Sequence, residues 1–386
     1  MIRRTPCGAV LALALSLLPV APLAVAQNDI KIGFHAPLTG FAASDGKSSL
    51  MGAELAVEQI NAAGGVLGKK LSLVVLDDQA RPDQAVPIAN KLIGEGHRVV
   101  ISGRYSGPTR AAAGVFHGAR IPYVAAYAIH PDITRAGNFV FRTSFVGEVQ
   151  GRAAAKLIGE NLKKKKVTIA YVNNDFGQAL VAGFKEAAPK FGLQVATEYS
   201  FAMGDRQFGS IVASVKRDEP EVIYMPAYFF NGGPLAAQLR AGGVTAPIVG
   251  TEGIDTEKFM EIAKGAAEGV LVTTSLDRDS KDPAMRQFIA DFQKKNNVPA
   301  DMVAASTHTA VQVVAEAIKK AGTADDGAKI REAIAATKDL QTATGKISFN
   351  SLGEVYKSAV IQIVKDGKFR GYAVIDDPVL LAPPTK

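Results

Sequence analysis

The sequence predicts an α/β protein built from two doubly wound, parallel-sheet lobes. The 386 residues exceed what one small core needs and suit two α/β domains. Short, continuous apolar strands alternate with amphipathic helices, which is typical of parallel sheets covered on both faces. The alternation restarts near residue 167, which indicates a second sheet. A composition of 47% hydrophobic and 21% charged residues is that of a globular protein.

The first 26 residues predict an export leader that precedes the fold. A cationic start is followed by an apolar run over 9–23, which ends in the small residues Ala24-Val25-Ala26. The run is too short and too interrupted by proline for a stable membrane span. Cys7 lies before the run, whereas a lipid-attachment cysteine would follow it. We therefore expect a signal peptide over 1–26 that is cleaved after Ala26, and a released protein.

Cysteine usage and charge exclude several classes of function. Cleavage after Ala26 removes the single cysteine, so disulfides, Cys-ligated metals and a Cys nucleophile are excluded. The formal charge of +7 is modest and can favour anionic ligands or a membrane surface. The basic run over 163–166 is interpreted as a solvated turn. We expect no nucleic-acid partner.

The first half of the chain predicts four strands with helices between them. The first strand runs into a Pro/Gly-containing loop over 36–46, and the helix that follows ends at Gly64-Gly65. Its apolar residues recur on one side, as a helix packed on a sheet requires. The predicted strands cover 30–34, 71–76, 99–101 and 122–126, and the predicted helices cover 48–62, 83–94 and a segment beginning at Ser106.

The second half repeats this pattern and adds a C-terminal group of elements. Two long helices are predicted after the second set of strands, and three strand-like segments follow them. The predicted strands cover 167–172, 194–199, 222–225, 248–249 and 270–273, the two helices cover 283–295 and 303–321, and the last segments cover 346–349, 358–364 and 369–375.

The candidate site follows from this arrangement. Ligands of doubly wound sheets bind outside the carboxyl ends of the strands. The loops to search therefore follow Phe34, Ser102, Ala126, Val172, Met225 and Gly250.

The loop after Ser102 carries the best anion-binding pattern. Ser106 is a good helix cap, and a helix start offers unpaired N–H groups and a positive dipole end. An ordinary cap and a carboxylate site both fit Ser106 at this point. Arg104 could pair an anion or be a surface charge. Tyr105 and Thr109, in the same segment, complete the candidates here.

Aromatic residues in the other loops are candidate pocket walls. Tyr228, Phe229 and Phe230 are consecutive and precede Gly-Gly, which is hard to place in one core because adjacent side chains point to different sides. The further candidates from these loops are Phe41, Tyr127, Ala128, Ile129, Phe176 and Glu252.

Signatures of catalysis are missing from the sequence. The five histidines include no pair at i, i+4 spacing, and no H-E-x-x-H, G-x-S-x-G, phosphate loop or G-x-G-x-x-G occurs. We expect a binding protein with no enzymatic activity, cofactor or metal.

The chain resembles the periplasmic branched-chain-amino-acid-type solute-binding proteins of ABC importers, the Leu/Ile/Val-binding group with the type I binding-protein fold. The resemblance extends from about Asp29 to near the C-terminus. It rests on segments that occur in the same order, namely 32–40, 52–57, 60–65, Asp77-Asp78, Arg120-Ile121-Pro122 and Asn174-Asp175-Phe176-Gly177.

The resemblance implies roles for individual residues. Ser106 resembles the serine that holds the ligand carboxylate, and Ala128 occupies the place of a carbonyl that takes the ligand ammonium. Glu252 resembles the acid that pairs with that ammonium. Phe176 and Tyr228 occupy positions of second-lobe aromatic contacts. Ile129 departs from the pattern, because a Thr or Ser usually stands at or near this position.

The resemblance also implies two lobes joined by three hinge crossovers, with the ligand in the interlobe cleft. We expect an N-terminal lobe of 27–146 plus 276–346 and a C-terminal lobe of 147–275 plus 347–386. The resemblance implies a periplasmic protein that serves the membrane permease and ATPase subunits of an importer, and we expect it to be a monomer.

At the end of the site that would hold an ammonium, Glu252 matches the family pattern and Ile129 does not. This combination slightly favours an aromatic or aryl 2-oxo acid over a branched-chain or other amino acid. A periplasmic sensor of the same fold, and an enzyme on an α/β scaffold, are the alternatives.

Overall fold

A computed structural model describes residues 1–2 and 29–385, so the predicted leader lies almost wholly outside the described residues. The described chain forms two α/β lobes, each built on its own sheet, which confirms the predicted fold class. A separate pair of short strands forms a third, two-stranded sheet.

The first lobe contains five parallel strands and four helices from the first part of the chain. The strands pair in the order β2-β1-β3-β4-β5. Phe34 in the interior strand β1 lies between Val75 of β2 and Ile101 of β3 and is fully buried. The elements are β1 (Ile30–Ala36), α1 (Ala43–Ala62), β2 (Leu71–Asp77), α2 (Pro82–Gly94), β3 (Val100–Ser102), α3 (Ser106–Gly118), β4 (Tyr123–Ala125), α4 (Asp132–Arg135) and β5 (Val140–Arg142).

The second lobe contains the next five strands, which are also parallel to one another. Helices cover both faces of this sheet, since strand residues contribute to two different apolar clusters. The elements are α5 (Gly147–Lys156), β6 (Lys166–Val172), α6 (Asp175–Ala187), β7 (Gln194–Phe201), α7 (Gly209–Asp218), β8 (Val222–Met225), α8 (Phe229–Ala241), β9 (Ile248–Thr251), α9 (Glu257–Ala263) and β10 (Leu271–Thr274).

The chain then returns to the first lobe and crosses again to the second. Residues of the returning helices share an apolar cluster with β1. The described chain thus passes between the lobes over 143–146, 275–282 and 348–358. The elements are α10 (Pro283–Asn296), α11 (Met302–Ala321), α12 (Gly327–Ala335), β11 (Leu340–Thr342), β12 (Gly345–Ile347), β13 (Ala359–Lys365) and β14 (Lys368–Ile375).

The second sheet departs from the parallel prediction at one edge. Its order is β14-β13-β10-β9-β8-β6-β7, and β13 and β14 run antiparallel to their neighbours. The two strands form a hairpin through Asp366 and Gly367, which both have positive φ angles, 53° and 67°. Such a turn matches the twist of antiparallel strands. The sheet is therefore mixed.

Candidate functional site

The two lobes meet at the carboxyl ends of their parallel strands, as the sequence predicts. Tyr105 of the first lobe lies 4.8 Å from Tyr228 of the second, measured between ring centroids. Phe41 packs edge-on against Phe230 at 5.0 Å. These contacts close the cleft over the loops that contain the predicted site residues.

Tyr228 is the centre of the aromatic wall. Its ring stacks on Phe176 at 4.5 Å and on Phe230 at 5.4 Å. It is buried, and the buried side chain of Ile129 belongs to the same apolar cluster. Phe41 is half exposed, at 50%, and lies at the outer edge of this wall.

The start of α3 has the features of an anion site. Its N-cap residue is Tyr105, and no side chain among the described residues caps the helix. Pro108 has no N–H, so Ser106 and Gly107 supply the free N–H groups of the first turn. The Ser106 hydroxyl accepts a hydrogen bond from the Ile129 N–H at 3.1 Å. The helix dipole adds a partial positive charge at this end.

Thr109 lies one turn further along α3 and supports the loop. Its hydroxyl donates to the Tyr105 carbonyl at 2.8 Å and also contacts the Ser102 hydroxyl. The side chain is fully buried. In this structure Thr109 therefore fixes the position of Tyr105 and of the helix start.

Arg104 is buried beside the aromatic wall and paired with Asp45. Arg104 Nε donates to Asp45 Oδ2 at 2.9 Å, and Nη2 lies 2.8 Å from the same oxygen. The Tyr105 hydroxyl also donates to this oxygen, at 2.8 Å. The guanidinium lies over the face of the Tyr127 ring, 3.7 Å from its centroid. Neither Arg104 Nη1 nor the Tyr127 hydroxyl has a hydrogen-bond partner in the described residues.

Glu252 enters the cleft from the second lobe as a buried, unpartnered carboxyl group. Its side-chain oxygens lie without a hydrogen-bond partner among residues 29–385. Burial raises its pKa from 4.5 to about 8, although the positive charge of Arg104 partly opposes this. The amide of Gln150 lies beside it, but its N–H donates to the Thr273 carbonyl at 2.9 Å.

The Ala128 carbonyl is already engaged. It accepts a hydrogen bond from Arg142 Nη1 at 2.7 Å, and Arg142 Nε lies 2.9 Å from Glu354 Oε2. The Arg142–Glu354 pair is completely buried and joins β5 to the third crossover. A ligand ammonium would have to share this carbonyl with a guanidinium.

Sequence reasoning missed several polar residues near the cleft. Asp45 lies in the predicted loop over 36–46, but the sequence contains no sign that Arg104 is its partner. Lys357 lies in the third crossover, where its buried Nζ donates to the Thr344 carbonyl at 2.8 Å. Burial lowers the pKa of Lys357 from 10.5 to about 7. The hydroxyl of Tyr224, next to Glu252, also has no partner in the part of the chain described.

Two other possible features are not found in the structure. Among the described residues, no group of three or more His, Cys, Asp or Glu side chains could hold a metal ion. None of the helices within the described ranges is both long enough and apolar enough to cross a membrane.

Two α/β lobes that close over an enclosed set of unpartnered polar groups define a two-lobed, cleft-type ligand-binding protein. Residues 29–368 match the profile of the family described as periplasmic binding protein, and the chain belongs to this family. It is a periplasmic solute-binding protein of the kind that serves ABC transporters, which confirms the resemblance seen in the sequence.

Two relatives are named for the amino acids that they bind. The chain is 34% identical to a Leu/Ile/Val-binding protein homolog of Brucella melitensis over 349 residues, which cover 90% of this chain and 94% of the relative. It is 31% identical to the leucine-, isoleucine-, valine-, threonine- and alanine-binding protein of Pseudomonas aeruginosa, over 89% of this chain and 91% of the relative.

Solved structures show the same fold. The branched-chain amino acid transporter substrate-binding protein of Streptococcus pneumoniae, in complex with isoleucine, has a TM-score of 0.85 at 27% identity and covers 90% of this chain and 99% of its own. A solute-binding protein from R. palustris in complex with benzoate has a TM-score of 0.83 at 23% identity, with 92% and 97% covered. The second likeness concerns the fold alone.

Proposed function

We propose that the closed cleft captures a small carboxylate, with an aromatic or aryl 2-oxo acid favoured, and delivers it to the permease and ATPase subunits of an ABC importer. The observation that carries this proposal is the uncapped start of α3 at Ser106, enclosed beside the aromatic wall. In this proposal the protein acts as a periplasmic monomer.

The carboxylate end of the ligand is assigned to Ser106 and Gly107. Two free N–H groups and the helix dipole favour an anion there. Binding of a carboxylate would also satisfy N–H groups that closure removes from water, since buried donors without partners cost free energy. The Ser106 hydroxyl can donate to the ligand because its hydrogen is not needed by Ile129, whose N–H is itself the donor.

The other end of the ligand is assigned to the aromatic wall. Tyr105, Phe176 and Tyr228 are buried, and the rings of Tyr105 and Phe176 each lie within stacking distance of the Tyr228 ring. Ring-on-ring contacts are worth about 0.5–1.5 kcal/mol beyond the area that they bury. A flat apolar ligand can add to this stack, whereas a branched aliphatic chain gains only burial there.

An amino acid is the second candidate, and Glu252 is the observation that favours it. An unpartnered carboxyl group in a closed cleft would pair well with an ammonium, and relatives such as the one from Pseudomonas aeruginosa are named for amino acids. Against this, the pKa of about 8 leaves Glu252 protonated at neutral pH in the free protein. The Ala128 carbonyl is also taken by Arg142.

A thermal-shift panel tests the proposal, because a ligand that binds only the folded state raises the melting temperature. Benzoate-, cinnamate- and phenylglyoxylate-type acids are compared with leucine, isoleucine and valine. We expect stabilisation by the aromatic acids, and we expect Ser106→Ala to weaken every ligand that stabilises the wild type. Ser210→Ala, an exposed serine of α7, is the matched control.

The outcomes separate the candidates. Stabilisation by leucine or valine alone would replace the aromatic acid with an amino acid. Full retention of affinity in Ser106→Ala would remove the start of α3 from the site. If an acid binds, its uptake by cells with and without the gene for this chain tests the coupling to an importer.

A further inference from the structure

The guanidinium of Arg104 makes hydrogen bonds to neighbouring side chains through only one of its edges. Nε and Nη2 both point to Asp45 Oδ2, at 2.9 and 2.8 Å. Arg104 is only 1% exposed. Its Nη1 is buried and has no hydrogen-bond acceptor within the described part of the chain. A guanidinium presents its donors in a planar fork, so the free edge is held in a fixed direction once Asp45 and the Tyr127 ring are in place.

A purely structural ion pair does not account for this free edge. Asp45 already balances the charge of Arg104, and its Oδ2 is shared with the Tyr105 hydroxyl. A buried N–H without a partner costs free energy, which the fold recovers only when something else supplies an acceptor. Since Arg104 adjoins Tyr105 and Tyr127 in the cleft, a bound ligand is in position to supply it.

Two other groups close to Arg104 are also donors. The Tyr127 hydroxyl has no partner, and Glu252 is protonated at neutral pH because of its burial. A hydroxyl, a carboxylic acid and a guanidinium N–H are each able to donate a hydrogen bond to a ligand oxygen. An ammonium at the same place would meet the cation of Arg104. The chemistry therefore favours a ligand oxygen over a ligand amine.

The position of Arg104 in the chain limits where on the ligand the accepting oxygen can be. Arg104 is two residues before Ser106, in the short loop between β3 and α3. A carboxylate at the start of α3 thus leaves its neighbouring carbon close to this loop. A 2-oxo group lies one bond away from the carboxyl carbon and is a good acceptor.

We propose that Arg104 is a specificity-determining residue that donates through Nη1 to an oxygen on the carbon next to the ligand carboxylate. It selects 2-oxo acids over the same acids without that oxygen and over 2-amino acids. Asp45 and Tyr127 are positioning residues that fix the guanidinium plane. This inference rests on the proposed function, because it takes the carboxylate to be bound at Ser106.

The test compares three ligands that share one ring, phenylglyoxylate, phenylacetate and phenylglycine, by isothermal titration calorimetry. In the wild type, phenylglyoxylate should bind about tenfold or more tightly than the other two, because an unpaired buried donor is left when the oxygen is missing. Arg104→Lys keeps the charge but loses the fork, and should lose most of this preference while phenylacetate changes by less than about threefold.

Two further variants keep the result interpretable. Arg104→Met with Asp45→Asn removes both charges together, so no unpaired ion is left in the interior, and it should also bind phenylglyoxylate and phenylacetate alike. Arg217→Lys, an exposed arginine of α7, should leave all three affinities unchanged. Melting curves without ligand show whether each variant folds.

Each other result overturns the inference. Equal binding of phenylglyoxylate and phenylacetate by the wild type would show that the protein does not recognise the 2-oxo oxygen. The proposed carboxylate site would not be affected by this result. If phenylglycine binds most tightly of the three, Glu252 binds the ligand amine and the inference about Arg104 is wrong. Binding of none of the three, nor of any acid in the thermal-shift panel, would remove the proposed function as well.

Discussion

Glu252 is the residue whose protonation links the site to stability. The folded protein holds a proton on this carboxyl group up to about pH 8, whereas an unfolded chain releases it near the ordinary pKa of 4.5. Between these values the folded state binds more protons than the unfolded state. Stability contributed by Glu252 is therefore lost as the pH rises through this window.

Glu252→Gln keeps the shape of the side chain and removes the titration. We expect the free energy of unfolding of the wild type, minus that of the variant, to fall by about 1.4 kcal/mol per pH unit between about pH 5 and pH 8. Urea unfolding of both proteins at several pH values measures this difference. A difference that stays constant with pH would mean that Glu252 is already ionised in the folded state.

Lys357 should change the free energy of unfolding with pH in the opposite direction to Glu252. Its folded pKa of about 7 is lower than the ordinary 10.5, so the folded state binds fewer protons above neutral pH. The wild type should therefore gain stability relative to Lys357→Met as the pH rises from about 7 to 10. The two variants together separate the contribution of the acid from that of the base. The negative charge of ionised Glu252 raises the pKa of Lys357.

Single residues show where sequence reasoning stops. Ser106, Phe176, Tyr228 and Glu252 follow strands, so the rule about strand ends brought them to one cleft. Asp45 lies 59 positions from its partner Arg104, and no periodicity or motif encodes such a pairing. Such long-range polar contacts depend on how the elements of a lobe pack together, here the start of α1 against the loop before α3, and the sequence pattern does not specify this packing.

Among the secondary-structure elements, those with a helical period or a continuous apolar run were predictable, including the three-residue strands β3 and β4, whereas two short elements were not. The strand and helix alternation predicted both sheets. Helix α4 has only four residues, and strand β5 is three residues long and ends in the charged Arg142, so neither shows a helical period or a continuous apolar run. The direction of β13 and β14 depends on the Asp366-Gly367 turn, a hairpin signal that the parallel interpretation passed over.

The packing of α5 against α6 depends on two glycines, one in each helix, and each lies against the backbone of the other helix. A Cβ atom at Gly183 would lie 2.0 Å from the Glu148 carbonyl oxygen, and one at Gly151 would lie 2.2 Å from that of Leu180. Contacts with backbone atoms cannot be relieved by a side-chain rotation. The two helices can approach this closely only without side chains at these positions.

Gly183→Ala should therefore destabilise the protein by about 1–3 kcal/mol, the usual cost of overpacking, although alanine is the better helix former. Gly114→Ala is the matched control, because Gly114 lies in α3 with nothing within 4 Å of the added atom. The control should gain about 0.5–1 kcal/mol. Urea midpoints of the two variants should move in opposite directions, and stabilisation by both changes would argue against tight packing of α5 on α6.

At the scale of the whole molecule, closure is the state that the structure describes. The lobes touch through Tyr105 and Tyr228, through Phe41 and Phe230, and through an ion pair between Arg110 and Asp175. A cavity of about 620 Å³ lies at this boundary and is lined by residues of both lobes, including Tyr105 and Tyr228. Ligand entry and release at this boundary require these contacts to part.

The Arg110–Asp175 pair should act as a latch on the closed state. Arg110 Nε lies 2.9 Å from the Asp175 carboxylate, and the side chains are 45% and 23% exposed. Exposed pairs contribute up to about 1 kcal/mol and are screened by salt, which corresponds to an effect of at most about fivefold on affinity. Since the pair joins α3 of the first lobe to α6 of the second, we expect opening of the lobes to break it, and its loss should appear mainly as faster ligand release.

Stopped-flow measurement of ligand release tests the latch in a double-mutant cycle of Arg110→Ala, Asp175→Asn and the double variant. Each single change should speed release by about two- to fivefold at low salt, the double change should add little, and high salt should reduce the difference. Lys185→Ala is the control, because its partner Glu198 lies 2.6 Å away within the second lobe. If Lys185→Ala speeds release as much as Arg110→Ala, or if the two single changes add fully in the double variant, the ion pair does not hold the lobes together.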